Sequence, residues 1–294
     1  MTKDEKTIGA LLERGSKILQ DAFIENNKAE ARHLMSIYLD EDLASIYSRL
    51  GDELDDFTAM RYMKAIKKRA THYPLQYITG FTYFLDWEFD CRENVLIPRF
   101  DTENLVLHAI ELSLDRDMKV MDMCTGSGCI GISYSLLRQR KGYNDKVTLV
   151  DISDDAISLA RTNAEKLNAG DNISIIKSDL FGALEDGNGN PLEKFDMILC
   201  NPPYIRSKDI NNLMKDVRDY EPRLALDGSP DGLAFYRRVI DKANDFLTEE
   251  GSIVFEIGYE QYMDVADLLK EAGFEHITRL RDMSGLDRVV SGRR

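Results

Sequence analysis

A single stretch decides the fold, and it is Lys119-Val120-Met121-Asp122-Met123-Cys124-Thr125-Gly126-Ser127-Gly128-Cys129-Ile130-Gly131. An apolar strand, Lys119–Met123, runs into a glycine-rich turn, and a helical pattern follows at Ile130–Gln139. Glycine lets the backbone of such a turn approach a ligand closely, and the start of a helix offers free N–H groups. The stretch therefore predicts a strand, a ligand-binding loop and a helix, in that order.

From about residue 95 onward, strand and helix patterns alternate. Apolar runs bounded by polar or glycine residues predict four further strands, at Val147–Val150, Ile173–Ile176, Met197–Cys200 and Ser252–Ile257. Further helical patterns lie at Asp154–Leu167, Leu233–Leu247 and Gln261–Ala272. This alternation predicts a parallel, doubly wound α/β sheet. The last two strand candidates, Ile277–Arg281 and Arg288–Ser291, have no helix between them, which favours an antiparallel edge hairpin.

The first 75 or so residues have a different character. Apolar residues recur there at helical spacing, glycines are few, and the only proline, Pro74, comes late. The aromatic and β-branched run Phe81–Phe89 follows Gly80 and predicts a β-hairpin. We therefore expect a helical, partner-docking domain at residues 1–76, a hairpin linker at 77–94 and an α/β domain at 95–294.

The charge balance narrows the class of partner. Asp and Glu total 52 against 38 Lys and Arg, so the net charge is −14. Such a chain repels phosphate backbones, which disfavours extended binding to nucleic acid and favours a small molecule or a protein. No apolar run approaches the ~20 residues of a membrane span, and the N-terminus lacks a targeting pattern, so the cytoplasm is the expected compartment.

The cysteines and histidines do not predict a metal site. Cys91, Cys124, Cys129 and Cys200 form no Cys-x-x-Cys pair, and the four histidines are scattered. We expect buried, reduced thiols and no metal.

A nucleotide-containing cofactor is expected at the glycine loop. Gly126, Gly128 and Gly131 fit the dinucleotide fingerprint, and Asp151 ends the next strand, where an acid that binds a ribose belongs. The alternative for Asp151 is a cap on the helix that begins near Asp154. The glycine spacing alone does not separate a nicotinamide cofactor from S-adenosylmethionine.

The end of the third strand supplies a further candidate contact. In Ser178-Asp179-Leu180-Phe181, a carboxylate and an apolar ring are placed to flank an adenine. Phe181 is equally compatible with a position in the core. The contact of Phe181 with the cofactor is therefore an expectation.

The chemistry is indicated by Asn201-Pro202-Pro203-Tyr204, directly after the fourth strand. Open α/β sheets bind ligands at this edge. Two prolines lock φ and remove two N–H donors, so the carbonyls of Asn201 and Pro202 face a pocket. The Asn201 amide oxygen and the Pro202 carbonyl can accept both hydrogens of an –NH₂ group, and Tyr204 offers a ring for stacking.

Such an amide clamp suits methyl transfer to a planar nitrogen. The lone pair of an amide is delocalised and a poor nucleophile, and two acceptors on its N–H bonds aim that lone pair at a sulfonium methyl. Positioning and electrostatics suffice, with no metal and no added base. Hydride transfer has no use for the clamp, so S-adenosylmethionine is favoured over a nicotinamide.

In these residues the chain resembles the HemK/PrmC family of release factor glutamine methyltransferases. The resemblance spans most of the chain and rests on a set of motifs: Pro74–Gly80, Val95–Glu103, the glycine loop, Asn201–Tyr204, Glu221–Leu226, Asp231–Tyr236 and Phe255–Tyr259. Asn-Pro-Pro-Tyr alone is shared with adenine and guanine methyltransferases. Its combination with the Ile97–Glu103 stretch is far more specific.

The resemblance implies a Rossmann-like class I methyltransferase domain with a seven-stranded mixed sheet, after a helical bundle and a β-hairpin. It implies transfer from S-adenosylmethionine to the glutamine of the Gly-Gly-Gln motif in class 1 peptide-chain release factors of the bacterial cytoplasm. The implied cofactor contacts are Cys124, Thr125, Gly126, Ser127, Gly128, Asp151, Phe181 and Asn201. The implied substrate contacts are Arg99, Phe100, Glu103, Asn201, Pro202, Pro203 and Tyr204.

Two residues depart from the family pattern, and one rival activity stays open. Cys124 stands where the family usually has glycine, which questions the backbone conformation of the loop, and Phe100 replaces a proline. The rival is methylation of an exocyclic amine of adenine or guanine in nucleic acid. The net charge and the lack of a basic, aromatic-studded segment disfavour it.

Overall fold

The computed structural model describes residues 4–170 and 172–294 and contains two compact units. The smaller unit comprises the chain up to Gly80 together with Met214–Tyr220, and the larger comprises Phe81–Leu213 and Glu221–Arg294. The helices are α1 (Ile8–Asp21), α2 (Asn27–Leu39), α3 (Leu43–Ser48), α4 (Asp56–Arg69), α5 (Leu75–Thr79), α6 (Glu103–Leu112), α7 (Cys129–Arg140), α8 (Asp154–Lys166), α9 (Lys215–Tyr220), α10 (Arg223–Leu226), α11 (Ala234–Phe246) and α12 (Tyr262–Glu271). The strands are β1 (Phe81–Phe84), β2 (Trp87–Asp90), β3 (Lys119–Met123), β4 (Lys146–Asp151), β5 (Ile173–Lys177), β6 (Phe195–Cys200), β7 (Leu247–Glu256), β8 (Glu275–Arg281) and β9 (Asp287–Arg293).

The smaller unit is helical, as the N-terminal pattern predicts. Its core is formed by apolar faces of α1, α2 and α4, with Leu11, Leu34 and Ile66 fully buried. The Asp55 carboxylate caps α4 by accepting from the backbone N–H groups at positions 57 and 58. The segment Met214–Tyr220 joins this unit from far along the chain, which the sequence did not predict. A docking role for residues 1–76 stays a prediction.

The larger unit contains the predicted hairpin and the predicted mixed sheet. Strands β1 and β2 pair antiparallel, and the seven-stranded sheet has the order β5-β4-β3-β6-β7-β9-β8. The five strands from β5 to β7 are parallel, whereas β9 pairs antiparallel with both β7 and β8. The class I methyltransferase architecture is thereby confirmed, including the antiparallel edge.

Apolar layers cover both faces of the sheet. Side chains of Met121, Ile198 and Phe255 pack with α11 and α12 on one face. On the other face, Val120 and Leu199 pack with α6, α7 and α8 and with the hairpin. Because β4 and β6 flank β3 on opposite sides, the strand order reverses at β3, and the carboxyl ends of these strands form the crevice where such sheets bind ligands.

None of the helices found in residues 4–170 and 172–294 combines the length and the apolar composition that a membrane-spanning helix needs.

Candidate active site

The carboxyl ends of the central strands surround a cavity of about 240 Å³. Its wall includes eight of the residues predicted for cofactor or substrate: Arg99, Cys124, Thr125, Gly126, Ser127, Asp151, Asn201 and Pro203. Met123 lies opposite Cys200 in the register of β3 and β6, so the glycine loop and the Asn-Pro-Pro-Tyr motif leave adjacent strands side by side. The sheet therefore brings both predicted elements to one cavity.

Asp122, at the end of β3, ties the glycine loop to α7. Its Oδ2 accepts from Thr125 Oγ1 at 2.5 Å and from the Gly131 amide at 2.9 Å. The side chain is fully buried, and this desolvation raises the pKa of Asp122 to about 7, against the lowering effect of the two hydrogen bonds. Asp122 thus has a structural role beneath the loop, with its carboxyl held largely protonated at mildly acid pH.

The raised pKa of Asp122 makes the stability of the protein depend on pH. The folded state retains a proton that the unfolded chain loses near pH 3.8, so this group's stabilisation falls as pH rises from about 4 to about 7. Asp122→Asn keeps both acceptor bonds but cannot ionise. We expect its stability relative to wild type to be higher at pH 8 than at pH 4, by about 1.4 kcal/mol for each pKa unit. Urea titrations at both pH values measure this, and an equal difference at both would contradict it.

Asp151 lines the cavity and holds two backbone amides. Its Oδ2 accepts from Gly126 N and its Oδ1 from Ser153 N, each at 2.9 Å. Helix α8 is capped by Ser153, whose Oγ accepts from Ala156 N, so Asp151 is not the helix cap. A carboxylate has about four acceptor positions, which leaves capacity for ribose hydroxyls. The ribose contact itself stays a prediction.

Cys124 adopts a left-handed backbone conformation, which glycine adopts easily and other residues rarely adopt. Its φ is +61°, in the left-handed region that residues with a Cβ avoid. Strain of this kind is found at ligand sites, where the surrounding structure enforces it. The cysteine side chain is therefore held in the cavity wall at a cost in backbone energy.

We expect Cys124→Gly to raise the free energy of unfolding by up to about 1 kcal/mol, because relief of the left-handed strain outweighs the entropy that glycine loses on folding. Cys124→Ala is the matched control, since it also removes the thiol but keeps the Cβ that causes the strain. Urea denaturation of the two variants compares them. Equal stability of the two would show that the backbone at this position is unstrained.

Phe181 lies in the core, the second of the two positions open to it, and is not in the cavity wall, so its contact with the cofactor stays a prediction. Phe181 is buried in the core and stacks on Phe246 at 4.4 Å between ring centroids. The cavity wall contains its neighbours Asp179 and Leu180 instead. Leu180 has a φ of +51°, and this turn directs the ring of the next residue towards α11.

Asn201 presents its amide to the cavity. Its Nδ2 donates to Thr102 Oγ1 at 3.4 Å, which leaves the amide oxygen available to accept. Apart from hydrogen bonds between paired strands, the backbone carbonyls of Asn201 and Pro202 accept no hydrogen bond from residues 4–170 and 172–294. Pro203 lines the cavity with Asn201, whereas Pro202 is buried and does not.

Tyr204 is held firmly but does not line the cavity. Its hydroxyl donates to Glu256 Oε1 at 3.2 Å, and its carbonyl accepts from Gln261 Nε2 at 3.1 Å. A Cβ on Gly228 would lie 2.7 Å from the Tyr204 Cα, so only glycine allows this close packing. The ring contacts the apolar layer that contains α11. Stacking of Tyr204 on a substrate amide therefore stays a prediction.

The predicted lip residues divide between cavity and scaffold. Arg99 lines the cavity and forms an ion pair with the buried Glu221. Glu103 Oε1 accepts from Leu85 N at 2.7 Å and so holds the turn of the hairpin. Glu103 is not in the cavity wall, so its implied contact with the substrate stays a prediction. Phe100 is 69% exposed and lies outside that wall.

Two residues behind the clamp were not predicted from the sequence. Thr102 accepts from Asn201, and Glu256 accepts from Tyr204; both are buried. Burial raises the pKa of Glu256, whose Oε2 has no hydrogen-bond partner within the described residues. An acid at the end of the apolar strand β7 was the available signal.

Comparison with known proteins identifies the family of the chain. Residues 10–80 match the PrmC N-terminal domain, and residues 98–220 match the methyltransferase small domain. A release factor glutamine methyltransferase of Clostridium acetobutylicum is 36% identical, with 93% of each chain covered. A relative of the same name from Clostridium botulinum is 35% identical, and the alignment covers 97% of this chain and 98% of the relative. Another, from Geobacter sulfurreducens, is also 35% identical, and the alignment covers 98% of this chain and 96% of the relative. Full-length likeness at this identity means that the chain belongs to the family of release factor glutamine methyltransferases.

Proposed function

We propose that this protein transfers a methyl group from S-adenosylmethionine to the side-chain amide nitrogen of the glutamine in the Gly-Gly-Gln motif of class 1 release factors. The observation that carries the proposal is the Asn201 amide, which faces a cavity that the glycine loop also lines. The family's named relatives support the choice of substrate. This substrate implies the bacterial cytoplasm as the compartment.

The residues around the cavity fit the cofactor. The first turn of α7 opens at the loop, and its N–H groups suit a ligand with negative or carbonyl oxygen atoms. Asp151 is available to ribose hydroxyls, and the apolar side chains of Ile152 and Leu180 in the cavity wall fit an adenine ring better than the core residue Phe181 does. When bound, S-adenosylmethionine supplies an electrophilic methyl on its sulfonium.

The clamp would act on the glutamine amide by orientation. The Asn201 amide oxygen accepts a hydrogen bond from one N–H group of the substrate, which orients the nitrogen lone pair. The Pro202 carbonyl, which lies outside the cavity wall, stays a predicted acceptor for the second N–H group. Thr102 fixes the Asn201 amide, and Glu256 with Gln261 fixes Tyr204, so the acceptors need no rearrangement during the reaction. Preorganised polar groups of this kind lower a barrier because they need not reorient as charge develops.

Methylation of an exocyclic base amine is the competing activity, because the same clamp would hold it. The net charge of −14 opposes binding to a phosphate backbone. We expect label from the cofactor methyl to enter a purified class 1 release factor and not RNA or DNA when all are present together. Label in the nucleic acid alone would overturn the proposal.

A further inference from the structure

Cys124 and Cys200 lie side by side at the carboxyl ends of β3 and β6. Met123, the last residue of β3, pairs with Cys200, and Cys124 follows Met123 directly in the chain. Neighbouring strands are about 4.8 Å apart and one residue adds about 3.3 Å, so an offset of one residue across two strands corresponds to a Cα separation of about 6 Å, within the range that a disulfide spans.

The left-handed backbone of Cys124 brings its thiol towards Cys200. Met123 and Cys200 face the same apolar layer, so regular alternation would send the next side chain to the other face. The φ of +61° at Cys124 breaks the alternation, and Cys124 packs against the layer that contains Cys200. Burial raises the pKa of Cys200, and the adjacent Cys124 thiol raises it further.

The two thiols differ in access. Cys124 is partly exposed and lines the cavity, whereas Cys200 is fully buried. The other two cysteines, Cys91 and Cys129, are also buried, and all four are free. A small oxidant that enters the cavity therefore meets Cys124 first, with Cys200 directly behind it.

We propose that Cys124 and Cys200 form a dithiol modification site in the cavity, which hydrogen peroxide converts into a disulfide. The Cys124 sulfur attacks one peroxide oxygen, and the products are a sulfenic acid on Cys124 and one water. The Cys200 sulfur then attacks the Cys124 sulfur and displaces hydroxide, which leaves as a second water with the Cys200 proton. Two thiols are oxidised to one disulfide, and one peroxide is reduced to two waters.

The disulfide alters the part of the site that would bind the cofactor. It fixes Cys124 to β6 and so constrains the amides of Thr125 and Gly126, which follow directly in the chain. We expect affinity for S-adenosylhomocysteine to fall by roughly tenfold or more, which corresponds to 1.4 kcal/mol. Reduction with dithiothreitol restores it.

The test treats the full chain, free of cofactor, with hydrogen peroxide and then blocks remaining thiols with N-ethylmaleimide. Peptide mass spectrometry without reductant should find the Cys124 and Cys200 peptides joined, and prior saturation with S-adenosylhomocysteine should prevent this. In the variant Cys200→Ala, no joined peptide should form, and dimedone should trap a sulfenic acid on Cys124. If Cys200→Ala folds poorly, Cys200→Ser takes its place and should give the same result. Cys91→Ala, the matched control, should join the two peptides as wild type does.

Three results would overturn the proposal. Peroxide could modify Cys124 in the wild type without joining it to Cys200, or the disulfide formed could be between Cys91 and Cys129. Alternatively, the joined protein could bind S-adenosylhomocysteine as tightly as the reduced one. Since each readout is a peptide mass or a binding constant, failure here is distinct from failure of the proposed methylation.

Discussion

Asn201→Ala is expected to lower kcat for release factor methylation by about 10²–10³-fold, because it removes one preorganised acceptor from the substrate amide. The Asn201 side chain has Thr102 as its hydrogen-bond partner and lines the cavity, so its loss leaves the glycine loop and Asp151 in place. Affinity for S-adenosylhomocysteine should stay within about threefold of wild type. This is well below a tenfold change, which corresponds to about 1.4 kcal/mol. Single-turnover kinetics and calorimetric titration measure the two quantities.

The matched control is Asn212→Ala, which truncates an exposed asparagine outside the cavity wall in the same unit. It should methylate at the wild-type rate. If Asn201→Ala also retained the wild-type rate, the amide clamp would have to be assigned elsewhere. A loss of cofactor affinity equal to the loss of rate would instead make Asn201 a cofactor contact.

Asp151→Ala is expected to weaken cofactor binding by roughly 10–100-fold. A hydrogen bond to a charged group contributes about 1.5–3 kcal/mol, so this range corresponds to the net loss of one such bond to the ribose; the substitution also removes the support of the Gly126 amide. Calorimetric titration with S-adenosylhomocysteine gives the dissociation constant directly.

Asp155→Ala serves as the control for Asp151, since it removes an exposed carboxylate from the first turn of α8, the helix that follows Asp151 in the chain. Its affinity should match that of wild type. A variant Asp151→Ala that melts at a lower temperature yet binds as tightly as wild type would restrict Asp151 to holding the Gly126 and Ser153 amides.

The central sheet could be predicted because its strands are buried on both faces and are therefore nearly continuous apolar runs. Strand β3 has the predicted limits, and β6 has its predicted end. Strand β7 begins at Leu247 rather than at Ser252, since its first residues include the polar run Thr248-Glu249-Glu250, which has no strand signature. The apolar pattern therefore predicted the ends of β3 and β6, which position the site. It did not predict the polar first residues of β7.

Contacts between distant residues could not be predicted in the same way. The partner of Asn201 is Thr102, 99 residues earlier, and the partner of Tyr204 is Glu256, 52 residues later. For Phe181 the sequence left two positions open, because pattern alone cannot determine which of two adjacent apolar side chains faces a cavity. That choice depends on the left-handed turn at Leu180, a conformation that leucine rarely adopts.

Tandem mass spectrometry of a class 1 release factor, after incubation with the protein and S-adenosylmethionine, tests the central claim most directly. The account predicts the mass of one added methyl group, on the side-chain nitrogen of the glutamine in Gly-Gly-Gln. A methyl group on any other residue, or an unmodified glutamine after complete turnover of the cofactor, would contradict it.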